Sequence, residues 1–348
     1  MTITGVSLIP LDLPMRQPFV TARGSKTVSH NLRVVVHLED GTQGRGEASE
    51  SLAWEHEKRP NFIRALLGVE LAGEKIGDYR RLSEKIWKVA GRHPAAAAAL
   101  ECALLDAYTR SRGISLWKWF GGKRRSVATS LTISAWPAPA AGRVARQAVR
   151  RGFRQLKVKL TGEETGDFER LLAVHRAAPK AALWLDGNQG FTRKEAIQFA
   201  SRVRERRLPA ELFEQPIARQ DWEGLDQVER EGKIPVVADE SARTVADAQR
   251  ILRRRAASAI NVKLAKCGVA GALEIIRLAK KSGTRLMIGC MAESTEGIWP
   301  SVALACGTGA FHYIDLDSHL LVVSPPGRAG FRTHGDTLCV SGRNHSFL

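Results

Sequence analysis

Leu156-Lys157-Val158-Lys159-Leu160 is a short run in which apolar and cationic residues alternate. In a strand, successive side chains point to opposite faces. Lys157 and Lys159 therefore share one face, while Leu156, Val158 and Leu160 share the other. If the apolar face is packed, two ammonium groups stand side by side in a confined place. Like charges that close disfavour protonation, which turns one lysine into a usable base near neutral pH. An edge strand with a solvated lysine face would read the same way, so the rest of the chain decides.

Outward from this run the pattern repeats. Short apolar runs end in a polar residue, and a helix-like stretch follows each. They fall at Ser130–Ser134, Phe153–Lys159, Ala182–Asp186, Glu211–Glu214, Pro235–Asp239, Ala259–Lys263, Arg285–Gly289 and Tyr313–Asp317. The markers at 159, 186, 214, 239, 263 and 289 are 27, 28, 25, 24 and 26 residues apart. Thr192-x-x-Glu195 is a capping box that opens one of the intervening helices. Phe168, Leu171 and Leu172 give the preceding one an apolar stripe. This repetition predicts an α/β fold, a closed parallel (β/α)7β barrel of modified TIM type. An open doubly wound sheet would more usually carry a Gly-rich turn after its first strand, and none is present.

Three segments follow. Residues 1–122 read as an α+β capping domain, 123–321 as the barrel, and 322–348 as a segment returning to the cap. In the first, Asn31–Leu38 and Gly44–Glu47 are strands joined by Glu39-Asp40-Gly41, a hairpin signal. Pro18–Ser29 has no apolar period and reads as a polar loop, a usual place for binding residues. Leu82, Ile86 and Val89, then Leu100, Ala103, Leu104 and Ala107, follow helical spacing. Gly121-Gly122 marks the boundary, and the tail carries Pro325-Pro326-Gly327 and Thr337–Val340.

Lys and Arg outnumber Asp and Glu by 53 to 36, a formal charge of +17. The excess is scattered, and clusters such as Arg253-Arg254-Arg255 sit where helix C-termini favour cations. The charge therefore reads as solvated surface, with no nucleic-acid or membrane partner expected. The five cysteines, 102, 267, 290, 306 and 339, lie far apart and have no metal-type pairing. That usage fits a reducing compartment. With no signal-peptide pattern, a cytoplasmic location is expected.

Active sites of such barrels lie at the C-terminal strand ends. Those ends carry Lys159, Asp186, Glu214, Asp239, Lys263, Asp315 and Asp317. Each acid alone could cap a helix. Three on consecutive strands repel one another unless a cation lies between them, and single carboxylates suit Mg2+ better than zinc. The strands bearing Lys159 and Lys263 flank these three. A substrate carboxylate held by the metal would place its α-carbon between two opposed bases, and the metal would stabilise the enediolate charge.

These residues carry a specific resemblance. Lys157-Val158-Lys159, Asp186-Gly187-Asn188, Glu214-Gln215-Pro216, Ala238-Asp239-Glu240-Ser241 and Asn261-Val262-Lys263 together resemble the enolase superfamily, in its muconate-lactonising subgroup, over nearly the whole chain. The resemblance implies magnesium ligands Asp186, Glu214 and Asp239 and an acid/base pair Lys159 and Lys263. It also implies that Lys157 lowers the basicity of its neighbour and polarises the substrate carboxylate. Asn188, Glu240 and Lys266 would support these groups, although Lys266 could merely begin a helix. Gly187 departs from the more usual Ala, with little consequence expected. Ile314-Asp315-Leu316-Asp317 resembles the pattern that holds the free α-amino group in dipeptide epimerases; a pair of helix caps would read alike. The implied activity is epimerisation of the C-terminal residue of a dipeptide. The loop around Arg23 resembles that of Ala-Glu epimerases, so Arg23 is the candidate partner of a substrate side chain. Glu293 reads as a polar filler. Relatives of this type commonly associate, which leaves a homo-oligomer open. The rival reactions on this scaffold are N-acylamino acid racemisation, o-succinylbenzoate synthesis and cycloisomerisation, none of which needs an ammonium anchor.

Overall fold

The computed structural model describes residues 1–325 and 329–341. Pro326 and Gly327 of the tail lie outside the described residues. The N-terminal part opens with β1 (Ile3–Thr21) and β2 (Gly24–Leu38), a long antiparallel hairpin, and β3 (Gln43–Ala48) pairs with β2 through the Asp40-Gly41 turn. Pro18–Ser29, read above as a loop, is mostly the tip of this hairpin. Phe19, Val20 and Thr21 pair with Lys26, Ser25 and Gly24. Backbone pairing needs no apolar period, and Gly24 takes the positive φ (121°) that the turn requires. Four helices follow: α1 (Arg59–Leu67), α2 (Tyr79–Ala90), α3 (Pro94–Ser111) and α4 (Leu116–Trp119). Leu82 and Ile86 are buried as their spacing predicts, but Val89 is exposed. The alanine-rich start of α3 lies directly on β3. A methyl group on Gly46 would come within 2.0 Å of the Ala99 carbonyl oxygen.

The barrel is preceded by β4 (Ser126–Ala128) and then runs β5 (Leu131–Ile133), α5 (Ala138–Arg150), β6 (Gln155–Lys159), α6 (Glu164–Ala177), β7 (Ala182–Asp186) and α7 (Arg193–Glu205). It continues through β8 (Ala210–Glu214), α8 (Trp222–Gly232), β9 (Val236–Ala238), α9 (Val245–Arg254), β10 (Ala259–Val262) and α10 (Leu264–Ser282). It ends with β11 (Arg285–Ile288), α11 (Thr295–Thr308), β12 (Tyr313–Ile314) and the short α12 (Ser318–Leu321). β5 to β12 form one eight-stranded sheet in unbroken order, and adjacent strands pair in parallel. Seven helices link the eight strands, as the repeat predicts. The Thr192–Glu195 capping box is present at the start of α7.

The seam between β12 and β5 is closed by hydrogen bonds outside the ladder. Ser130 N donates to Ile314 O at 2.9 Å, Leu316 N to Thr129 Oγ1 at 2.8 Å, and Thr132 N to Asp317 Oδ2 at 2.6 Å. Leu156, Val158 and Leu160 lie in the main core between sheet and helices, whereas Trp184, Leu212, Val237, Ala259 and Met287 form a small layer inside the barrel.

The tail departs from its expected course. Val322 bridges to Met15 and Val323 N donates to Pro14 O, so the return to the N-terminal part is brief. The chain then forms β13 (Phe331–His334) and β14 (Thr337–Val340), and β14 pairs with β4 below the strand starts. Among the described residues no helix is long and apolar enough to cross a membrane.

Candidate active site

Register brings the charged residues to one level at the mouth. Lys159 is level with Asp186, and Asp186 with Glu214. Asp239 lies two residues beyond Val237, the partner of Glu214, and Lys263 directly follows β10. Because Leu156 and Val158 face the helices, Lys157 and Lys159 face inward, and both are buried.

Each acid meets an ammonium group. Asp186 Oδ2 is 2.5 Å from Lys159 Nζ and 3.1 Å from Lys157 Nζ. Glu214 Oε2 is 2.8 Å from Lys157 Nζ, and its Oε1 accepts from Asn261 Nδ2 at 2.8 Å. Asp239 Oδ2 is 2.7 Å from Lys263 Nζ, while Oδ1 is 2.7 Å from Lys266 Nζ. Burial works against the charge on Lys157, but Asp315, Glu214 and Asp186 outweigh it and hold its pKa well above the ordinary value. Lys157 is therefore a held cation whose partners are carboxylates. Lys263 is raised in the same way by Asp239 and Glu214 against burial. Glu214 is pushed up to about 7 by burial and by Asp186.

Among the described residues no three or more His, Cys, Asp or Glu side chains are arranged to hold an ion. The acids turn to the lysines instead. The donor set nevertheless fits a hard divalent cation. Asp186 and Glu214 already converge on a single cation, Lys157, and Glu240 Oε2 is buried beside them with no hydrogen-bond partner. Burial, Asp239 and Asp186 push Glu240 up to about 8. Asp186, Glu214 and Asp239 would hold the ion.

The supporting residues touch this cluster. Asn188 Oδ1 accepts from Lys159 Nζ at 3.1 Å, and its Nδ2 reaches Glu240 Oε1 at 3.4 Å. Lys266 both begins α10 and donates to Asp239 and to Asn261 O, at 2.7 Å to the latter. Asp315 Oδ2 accepts from Lys157 Nζ at 2.6 Å and Oδ1 from Ser130 Oγ at 2.9 Å, while Asp317 holds the seam at Thr132. Both aspartates line the central cavity, together with Lys157, Lys159 and Lys263. Arg23 lies exposed at its rim, and Glu293, buried, takes a hydrogen bond from Met291 N.

Several wall residues carried no assigned role in the sequence reading. Phe19, on the hairpin tip, lies with its ring centroid 5.7 Å from Lys159 Nζ. The tip is pinned by Trp136 Nε1 donating to Pro18 O at 2.7 Å. Lys26 donates to Ser29 Oγ and Glu50 O, and burial lowers it to about 8. Gln215 clamps two mouth loops, its Oε1 accepting from Asp239 N and Ser241 N at 3.0 Å. Only the positions of Phe19 and Lys26 beside Arg23, and of Gln215 beside Glu214, could have signalled them. Gly187 is closely packed, since an added methyl group would sit 2.7 Å from Pro216 Cα.

A family profile described as "Mandelate racemase / muconate lactonizing enzyme, N-terminal domain" matches residues 3–121, and one described as "Enolase C-terminal domain-like" matches residues 140–326. The chain belongs to the mandelate racemase/muconate lactonizing enzyme family. Within this branch of the enolase superfamily it is similar to an aromatic dipeptide epimerase of Herpetosiphon aurantiacus, 39% identical over 97% of this chain and 96% of the relative. It is also similar to an L-Ala-D/L-Glu epimerase of Thermotoga maritima, 36% identical over 97% of this chain and 98% of that protein. A solved structure, the dipeptide epimerase of Enterococcus faecalis V583 complexed with Mg and L-Leu-L-Tyr, superimposes with a TM-score of 0.93 at 28% identity. That match covers 99% of this chain and 98% of the solved one. In this member of the family, Lys157, Lys159, Lys263, Asp239, Asp315 and Asp317 line one cavity, and Asp186 and Glu214 lie buried against its lysines.

Proposed function

We propose that this chain epimerises the C-terminal residue of a dipeptide, with Mg2+, by 1,1-proton transfer between Lys159 and Lys263 through an enediolate. One observation carries the reading. Lys159 and Lys263 stand at the ends of β6 and β10, the strands that flank the three acid-bearing ones, each paired with the nearer aspartate, and both line the cavity that Asp315 and Asp317 also line. Mg2+ bound by Asp186, Glu214 and Asp239 would supply the positive charge that the substrate carboxylate needs as its α-proton leaves. Lys157, buried and charged, adds a second cation beside that carboxylate. Lys159 takes or returns the proton on one face of the α-carbon and Lys263 on the other. Asp315 and Asp317 hold the dipeptide ammonium, and Phe19 covers Lys159 from solvent.

A second reading keeps the lysines and the metal but drops the ammonium anchor, giving N-acylamino acid racemisation, o-succinylbenzoate synthesis or cycloisomerisation. It is favoured by the hydrogen bonds that already engage Asp315 and Asp317 across the seam. The test is α-deuterium incorporation in heavy water, with Mg2+, over a panel of L,L and L,D dipeptides and their N-acetylated forms. Incorporation into both epimers of a free dipeptide supports epimerisation. Incorporation only into the N-acylated forms supports the second reading.

A further inference from the structure

At Arg23, Ala53 and Trp54 the central cavity adjoins a second one of about 520 Å³. Its walls come from the cap segment around Trp54 and from the loops that follow β7, β8 and β9, the strands bearing Asp186, Glu214 and Asp239. Four guanidinium groups line it, those of Arg23, Arg92, Arg219 and Arg243, against the two carboxylates of Glu55 and Glu57. Among the described residues none of the four has a carboxylate within ion-pair distance. Glu57 is buried and turned to the start of α3, where Oε2 accepts from Ala95 N at 3.2 Å.

The two inner arginines are held in place. The Arg243 guanidinium lies 4.5 Å from the centroid of the Trp54 ring, a stacking that uses its face and keeps its N–H edges for another partner. Arg219 is fixed at its backbone, where its N donates to Gln189 Oε1 at 3.1 Å and its carbonyl accepts from Ser241 Oγ at 2.8 Å. Burial and the like charge of Arg219 work against the charge on Arg243 and outweigh the support of Glu57 and Asp247. Four cations that outnumber the two acids beside them, with no carboxylate among the described residues in ion-pair contact, match a planar or tetrahedral oxyanion, which two forks can grip together.

We propose that this antechamber is an oxyanion site of the carboxylate and phosphate class, gripped by Arg219 and Arg243 with Arg23 and Arg92 at its rim. Two sources share that chemistry. One is a carboxylate on the side chain of the dipeptide, and that assignment rests on the function proposed above. The other is a free inorganic anion.

The experiment is isothermal titration of the full chain with inorganic phosphate, without dipeptide, followed by kinetics on dipeptides ending in Glu or in Leu. Saturable phosphate binding is expected, weakened about tenfold in both Arg219→Gln and Arg243→Gln, the loss of one charge-assisted contact. Arg92→Gln, at the rim, serves as a second variant should an inner one fail to fold. If the site serves the substrate, the ratio of KM for the Glu dipeptide to that for the Leu dipeptide rises about tenfold as well. Weakened phosphate binding with an unchanged ratio assigns the site to a free anion. Phosphate binding that is absent, or equal in all variants, together with an unchanged ratio overturns the proposal. Because the titration needs no turnover, a chain that binds phosphate but exchanges no dipeptide overturns the epimerase reading alone.

Discussion

Asp317 serves two partners from one side chain. Its Oδ2 accepts from Thr132 N and so helps close the barrel, and its carboxyl also lines the cavity. Burial and neighbouring Asp315 push it up to about 7. Only the ionised form attracts an ammonium group, and that form grows as pH rises through about 7. Dipeptide affinity measured calorimetrically should therefore increase from about pH 6 to about pH 7.5 and fall again at higher pH, as the α-amine loses its proton at roughly pH 8. The stability effect has the opposite sign. A carboxyl raised in the fold favours the protonated chain, so this contribution is present at low pH and is lost as pH climbs from the ordinary carboxylate range through about 7. Asp317→Asn keeps an oxygen for Thr132 N but removes the charge. It should weaken free dipeptides by about 1.5–3 kcal/mol, flatten the pH dependence of affinity, and leave N-acetylated substrates much less affected. Equal losses on free and acetylated substrates would count against an ammonium site. The lysines are separable by face. Lys159→Ala and Lys263→Ala should each lower epimerisation by roughly 10²–10⁴-fold, while each variant still exchanges the α-proton of one epimer, a different one in each case. Loss of exchange from both epimers in either variant would argue against two independent bases.

Elements carrying a period were legible, and those set by contact were not. The strands from β6 to β11 begin and end within two residues of their expected limits, because apolar runs and polar ends recur at a nearly fixed step. The hairpin tip was misread because the pairing of Phe19 with Lys26 is made by backbone, and no side-chain pattern records it. The crowding at Gly46 and Gly187 was invisible for a related reason, since what crowds them comes from other elements. They predict different outcomes. A methyl group on Gly46 would meet the Ala99 carbonyl of α3 within the N-terminal part, whereas one on Gly187 would press on Pro216 and part the segments that follow Asp186 and Glu214. Each substitution should cost about 1–3 kcal/mol in urea unfolding. Only Gly187→Ala should also slow α-deuterium exchange in the folded enzyme. Normal exchange in Gly187→Ala would mean that the loop spacing tolerates more than this geometry implies.

At the scale of the molecule, what joins the N-terminal unit to the barrel lies beyond any local signal. Glu47 and Ser294 are 247 positions apart, yet Glu47 Oε1 accepts from Ser294 N at 3.0 Å and from Asn31 Nδ2 at 2.7 Å, and Oε2 accepts from Ser294 Oγ. Asn31 and Ser49 also reach Ala292 O, at 2.8 and 3.1 Å. The network continues toward the cavity, since Ser29 Oγ donates to Asn31 Oδ1 at 2.7 Å and Lys26 Nζ to Ser29 Oγ at 3.1 Å. Glu47→Ala would leave both Ser294 donors without an acceptor and the Asn31 amide with only Ala292 O. At about 1–3 kcal/mol for each buried group left unpaired, the loss should reach several kcal/mol. Glu47→Gln keeps one acceptor oxygen and should lose less. Burial raises the pKa of Glu47 above the ordinary carboxylate range, so wild-type stability should decline as pH rises from that range through the raised value. In the Gln variant this component disappears. If the same network also positions the hairpin that carries Phe19 and Lys26, KM should rise in the Ala variant under conditions where the enzyme remains fully folded. Urea unfolding at two pH values, paired with KM, separates these roles. An Ala variant as stable as the wild type would mean that apolar contact alone holds the two units together.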